Sequence, residues 1–133
     1  MRHYIIASHK KLSEGFYSAL KEIIGDIANT SIITAYVEEV DLQEEVERVM
    51  SEIPMDREII VFTDIYGGSV NNEFIKYLGK RQFHLIAGVN LPLIMTVMLS
   101  TEEFLDANKI VEMIEECRLG MRYCNLDLLE EAE

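Results

Sequence analysis

Two stretches of this chain carry residues suited to nucleophilic chemistry. His9 closes the apolar run Tyr4-Ile5-Ile6-Ala7-Ser8-His9. Asp64 closes a second, Ile59-Ile60-Val61-Phe62-Thr63-Asp64, and Gly67-Gly68-Ser69 follows shortly after it. A lone histidine after a strand is more often structural than reactive. Its meaning changes if the two runs are neighbouring strands of a parallel sheet, because sites gather outside the carboxyl ends of such strands. A carboxylate that accepts the proton of one ring nitrogen fixes the tautomer and leaves the other nitrogen free to attack. A glycine turn that opens a helix offers backbone N–H groups to an oxyanion. His9 and Asp64 are therefore the candidate catalytic pair, and Gly67, Gly68 and Ser69 the candidate phosphate-binding turn. Together they are the equipment for a histidine that carries a phosphoryl group.

The remaining motifs are weaker. Two adjacent glycines alone make many ordinary turns. Neither a GxGxxG nor a Walker sequence is present, so nucleotide sites of those kinds lack support. His3 and His84 fall inside predicted strands and read as core or edge residues, and Asn71-Asn72 as part of a helix start. Cys117 and Cys124 have no CxxC spacing and no neighbouring histidine, so they are expected as buried free thiols, not zinc ligands. Neither a metal nor a cofactor is expected.

Elements must bring His9 and Asp64 together, and the hydrophobic pattern supplies them. Residues 3–8 form a β-rich run that suits a strand buried on both faces. Leu12, Phe16, Leu20, Ile23 and Ile24 recur at helical spacing over 12–24, and Gly25 is a plausible stop. A second strand is predicted over 31–37. Asp41 caps a helix to about Glu52, with Pro54 closing it. Residues 58–63 form the clearest strand. Ser69 or Asn71 opens a helix to about Lys80, and 83–89 make the fourth strand. Residues 91–100, apolar nearly all round, are expected as a buried helix, and 107–121 as a last amphipathic one. Residues 122–125 read as a short final strand. The alternation of strand and helix argues for α/β: an open, mostly parallel sheet of four strands with helices on both faces.

The composition narrows the function further. The 133 residues suit one domain with a substantial core, since 49% are apolar. No stretch is long enough to span a bilayer and no signal peptide is visible, so a cytoplasmic location is expected. The net charge of −12 comes from 12 basic and 24 acidic residues. Seven acids fall within 38–52 and ten within 82–133, whereas the segments holding His9 and Asp64 are near neutral. Without a basic stripe to neutralise phosphates, nucleic acid is a poor partner. The acidic helix is most simply a solvated face.

Three stretches in order carry a family resemblance: Ile5-Ile6-Ala7-Ser8-His9, Asp64-Ile65-Tyr66-Gly67-Gly68-Ser69, and Ile86-Ala87-Gly88-Val89-Asn90-Leu91-Pro92. They resemble the signature stretches of the mannose-family IIA domain of the bacterial phosphoenolpyruvate-dependent sugar phosphotransferase system. The resemblance covers about residues 1–125, leaving 126–133 as an acidic C-terminal tail. It implies a phosphotransferase component: His9 accepts a phosphoryl group from the histidine-containing phosphocarrier protein and passes it to a IIB component, serving a membrane permease indirectly. Asp64 matches the carboxylate that binds the active histidine, and Ser69 the serine near the phosphoryl group. The family also implies a homodimer in which a short antiparallel C-terminal strand, about Met121–Asn125 here, is exchanged. Three positions depart from its pattern: Lys10 stands where Gly is usual, Ile65 where Thr is common, and Val70 where Pro is common. Alternative functions of similar domains are the phosphotransfer subunit of a dihydroxyacetone kinase and a regulatory IIA-like module.

Overall fold

The computed structural model describes residues 1–127. They fall into two compact units, Met1–Leu91 and the chain from Pro92 onward. The first unit contains β1 (Arg2–His9), α1 (Leu12–Ile24), β2 (Thr30–Ala35), α2 (Leu42–Glu52), β3 (Glu58–Thr63), α3 (Ser69–Tyr77) and β4 (His84–Ile86). The four strands form one sheet in the order β2-β1-β3-β4, every pair parallel. This is the expected α/β architecture.

The two central strands are buried on both sides, which is why their sequences are continuous apolar runs. Ile5, Ile6, Ala7, Ile60, Val61 and Phe62 are all essentially inaccessible. Ile5, Ala7, Ile33, Ala35, Ile59 and Val61 point to one face, where they pack with Val46, Val49 and Met50 of α2 and Val70 and Phe74 of α3. Val70 is fully buried there, so an apolar side chain at this position serves the core. The alternate residues face the other way. On that side the Ser13 backbone N–H of α1 donates to the Ser8 hydroxyl oxygen at 2.7 Å, and the Ser13 hydroxyl donates to Ile33 O at 2.8 Å.

The strand order has a direct consequence for function. The chain leaves β1 toward β2 on one side, then returns past β1 to β3 and β4 on the other. The connections therefore diverge between β1 and β3, the switch point where open α/β sheets form their ligand crevice. His9 ends β1, and Asp64 follows β3.

Several boundaries are shorter than the hydrophobic pattern predicts. The second strand ends at Ala35, not Val37, because Tyr36 adopts a left-handed backbone with φ +68°. The fourth strand is only His84–Ile86, and Gly88 at φ +67° turns the chain soon afterwards. The helix expected to reach Lys80 ends at Tyr77.

In the second unit, α4 (Leu91–Met98) buries Leu93, Ile94 and Val97, leaving Pro92 exposed. It is thus a one-sided helix, not one buried all round. The next helix, α5 (Ala107–Arg118), is capped by Asp106, whose side chain accepts from Lys109 N at 2.8 Å. Both cysteines are free, but Cys117 is half-buried and Cys124 exposed, so the expectation of buried thiols fails for Cys124. No strand forms over Met121–Asn125: residues 121–123 have no regular structure and 124–127 are helical. A strand needs a ladder partner. Here Arg122 and Asp127 pair at 2.6 Å across the helical turn instead. Most of the expected acidic tail, residues 128–133, lies outside the described residues. No helix among the described residues is long and apolar enough to cross a membrane.

The amino end of the central strand β1, opposite the His9 rim, carries a titratable residue with a fold role. His3 Nε2 lies 2.8 Å from the Ser31 hydroxyl. Burial lowers its pKa, and the Arg57 and Arg81 charges lower it further. The folded state therefore favours neutral His3 more than the unfolded chain does. Its contribution is complete above the unfolded value of about 6.5 and is lost as pH falls through the folded one. His3→Gln is expected to flatten the fall in stability between pH 7 and pH 5. Urea midpoints across that range measure it, and an unchanged slope would clear His3 of the role.

Candidate active site

The fold brings every residue of the candidate site to one rim. Asp64 Oδ2 accepts two hydrogen bonds from His9: one from the backbone N–H at 2.8 Å and one from ring Nδ1 at 2.9 Å. The Asp64 side chain is 7% exposed and that of His9 is 36% exposed, so the carboxylate is buried and the ring reaches solvent. Burial pushes the Asp64 carboxyl up, but the His9 hydrogen bonds and charge outweigh it, holding the group below its usual range. Asp64 is therefore ionised at neutral pH. A carboxylate only accepts, so Nδ1 carries a proton, and in the neutral ring Nε2 presents its lone pair.

Ser69 stands at that second nitrogen, with its Oγ 3.3 Å from Nε2. It is the first residue of α3. Asn72 N makes a helical bond back to Gly68 O at 2.9 Å, so the N–H groups of Ser69, Val70 and Asn71 precede the ladder. Those groups and the helix dipole give the rim a partial positive charge without a formal one.

The turn that places Ser69 depends on both glycines. Gly67 has φ +78°, a region that L-residues with side chains adopt at a cost. Gly68 donates its N–H to Ile65 O at 3.0 Å, and a Cβ there would lie 3.1 Å from Ile65 Cβ. Asn72 ties the turn down by donating to Gly67 O at 3.1 Å. Behind it, the buried Thr63 hydroxyl donates to Asn71 Oδ1 at 2.9 Å, locking the end of β3 to the start of α3. Gly67→Ala is expected to lower stability by about 1–2 kcal/mol through backbone strain and, on the carrier reading proposed below, to slow phosphoryl uptake by displacing Ser69. Denaturant titration checks the first effect and initial rates the second; a variant as stable as the parent would contradict the strain.

Two residues of the site were not singled out by the sequence. Tyr36 follows β2, whose last residue Ala35 pairs with His9. Its hydroxyl donates to Ser69 Oγ at 2.7 Å, and its ring lies 5.7 Å from the imidazole at a 46° tilt. Its signal is an aromatic residue with a hydroxyl at the end of a third strand on the same rim. Ser8 is the other: fully buried, it bridges Ser13 N and Lys10 O and so fixes the turn after His9.

Lys10 is explained by backbone as well as charge. It sits at φ +52°, the left-handed region where glycine is unstrained. Its N–H donates to Ala35 O at 2.8 Å, and its ammonium donates to Tyr36 O at 2.6 Å. The side chain therefore bridges to the neighbouring loop. Ile65 and Tyr66 are exposed around the rim, Tyr66 to 84%. Among the described residues, no cluster of three or more His, Cys, Asp or Glu side chains could hold a metal ion.

The site is thus a switch-point histidine on a buried carboxylate, facing a helix N-terminus, in a parallel α/β domain. The family description "PTS system fructose IIA component" (EIIA-man) matches residues 3–115, and the chain belongs to this family. It is a family of phosphotransfer components of the sugar phosphotransferase system. A crystal structure from Klebsiella pneumoniae, assigned as a phosphoenolpyruvate-dependent sugar phosphotransferase system permease, is 40% identical. It superposes with a TM-score of 0.89 over 96% of this chain and 93% of that one. The mannose/sorbose-specific IIA subunit of Enterococcus faecalis, at 20% identity, shares the fold with a TM-score of 0.79 over 91% and 92% of the two chains. The fructose-specific EIIA component of Bacillus subtilis is 33% identical over 58 residues, which span 43% of this chain and 40% of that protein.

Proposed function

We propose that this protein is a phosphohistidine carrier in sugar uptake, with His9 Nε2 as the atom that holds the phosphoryl group. The observation that carries this reading is the double hydrogen bond from His9 to the buried Asp64. In the neutral ring it places the proton on Nδ1 and leaves the Nε2 lone pair beside Ser69 on a side chain 36% exposed. In the proposed step, the Nε2 lone pair attacks the phosphorus of a phosphohistidine donor in line. The N–P bond of the donor breaks, and the donor imidazole keeps that electron pair. His9 becomes positively charged as the new N–P bond forms, and Asp64 stabilises that charge through the retained Nδ1 proton. The phosphoryl oxygens meet the Ser69 hydroxyl and the opening N–H groups of α3. Passing the group onward reverses these changes on a second partner.

The donor in this proposal is the histidine-containing phosphocarrier protein and the acceptor a IIB component, both inferred from the family and both cytoplasmic encounters. The half-exposed imidazole within an apolar rim of Ile65 and Tyr66 suits docking by a protein surface better than entry of a free sugar. A homodimer is part of the same proposal. Leu119, Met121, Tyr123 and Leu126 are all exposed near the end of the described chain, and a partner would cover such surface.

Incubation with phosphoenolpyruvate and the two general carrier proteins tests the function. The expected product is one acid-labile, alkali-stable phosphoryl group per chain. An acid-stable product would mean a hydroxyl ester and contradict a histidine carrier.

A further inference from the structure

We infer that Tyr36 is a positioning residue of the phosphotransfer site, acting through Ser69 to keep a hydroxyl proton aimed at His9 Nε2. This inference rests on the carrier reading and adds a residue to it.

The polarity of the hydrogen-bond chain follows from its fixed end. Ionised Asp64 only accepts, so His9 Nδ1 donates to it at 2.9 Å. In the neutral ring, the form that can attack phosphorus, Nε2 is then an acceptor and needs a donor. Ser69 Oγ, 3.3 Å away, supplies one only if its single proton points to the ring. A serine hydroxyl rotates freely unless its lone pairs are engaged. The Tyr36 hydroxyl engages one of them at 2.7 Å, the shortest link in the chain, and thereby selects the rotamer that faces His9. When Nε2 takes the phosphoryl group, the same proton is placed to meet a phosphoryl oxygen, with the Tyr36 donor still behind it.

The backbone around Tyr36 is built to hold this geometry. Tyr36 and Lys10 are two of the three non-glycine residues with positive φ among the described residues, at +68° and +52°. The Lys10 ammonium grips the Tyr36 carbonyl at 2.6 Å, and the Lys10 N–H grips Ala35. Two adjacent left-handed residues, joined to each other and adjoining a reactive side chain, are strain held in place by surrounding bonds. The 5.7 Å ring contact with His9 fixes the distance from the other side.

Tyr36→Phe keeps the ring and removes only the hydroxyl. It is expected to slow phosphoryl uptake by about three- to tenfold, the range for one modest hydrogen bond. In a Ser69→Ala background the same substitution is expected to cause no further slowing, because the group it acts through is gone. The 15N resonance of His9 Nε2 should move toward that of an unbonded imine nitrogen in Tyr36→Phe, while the Nδ1 resonance stays in place. A full effect of Tyr36→Phe in the Ser69→Ala background, or an unmoved Nε2 resonance, would overturn the inference. The nitrogen resonances need no phosphoryl donor, so they decide the role of Tyr36 even if the wild-type chain takes up no label. That failure would instead strike the carrier reading.

Discussion

Asp64→Asn is expected to slow phosphoryl transfer by about 10²–10³-fold while leaving the fold intact. The amide has two ways to sit, and each is damaging. With its oxygen at the Oδ2 position it still accepts from His9, but its NH₂ then occupies the Oδ1 position. That oxygen is buried and has no hydrogen-bond partner among the described residues. An unsatisfied buried donor there costs about 1–3 kcal/mol. With the amide turned over, the NH₂ faces the His9 backbone N–H, donor against donor, and offers its proton to Nδ1. The ring then carries its proton on Nε2, where no lone pair remains for attack. Both arrangements also remove the negative charge that stabilises the phosphorylated ring. A comparable loss of an orienting carboxylate lowers kcat by about 10⁴ in serine proteases. The smaller figure here reflects the partly solvated ring, 36% exposed. Initial rates give the first number and urea titration the second. A rate within twofold of the parent would remove Asp64 from the site.

The Asp64 carboxylate also predicts how the site fails in acid. Its folded pKa is lowered, so the stability it contributes is present above the unfolded value of about 3.9. It is lost as pH falls through the folded value. Asp64→Asn should therefore show a shallower loss of stability below pH 4 than the parent does.

His9→Gln is expected to abolish labelling altogether. Glutamine has similar reach and polarity but no nucleophilic nitrogen, since its amide lone pair is delocalised. His9 makes no contribution to the main apolar cluster, which Ile5 and Ala7 of the same strand join. The variant should thus fold with little change in stability and still present the rim to its partners. The expected result is a stable protein that competes for docking and takes up no phosphoryl group. Label at parental levels would place the acceptor elsewhere.

Much of this arrangement was legible in the residues themselves. The strands β1 and β3 are unbroken apolar runs because both of their faces are covered, and such runs stand out. Their polar endings marked His9 and Asp64, and Gly67-Gly68 marked the turn that delivers Ser69. The helix over 12–24 and the Asp41 cap were equally clear, because amphipathic spacing and capping chemistry are local. What escaped depends on register and on unusual backbone. Tyr36 reads as one more residue of a β-rich strand. Only its left-handed φ and the pairing of Ala35 with His9 bring its hydroxyl to Ser69. Lys10 reads as a charge beside the site, whereas its ammonium is directed to the Tyr36 carbonyl. The strand expected over 121–125 does not form in the single chain, because a five-residue segment has no strand structure of its own and pairs only if a partner edge lies beside it.

The central claim is that His9 Nε2 carries the phosphoryl group. Phosphorus-coupled 15N spectra of the phosphorylated chain test it most directly, since they separate the two ring nitrogens. The account predicts one-bond coupling to Nε2 and a proton retained on Nδ1. Coupling to Nδ1, or phosphorus on any other residue, would contradict it.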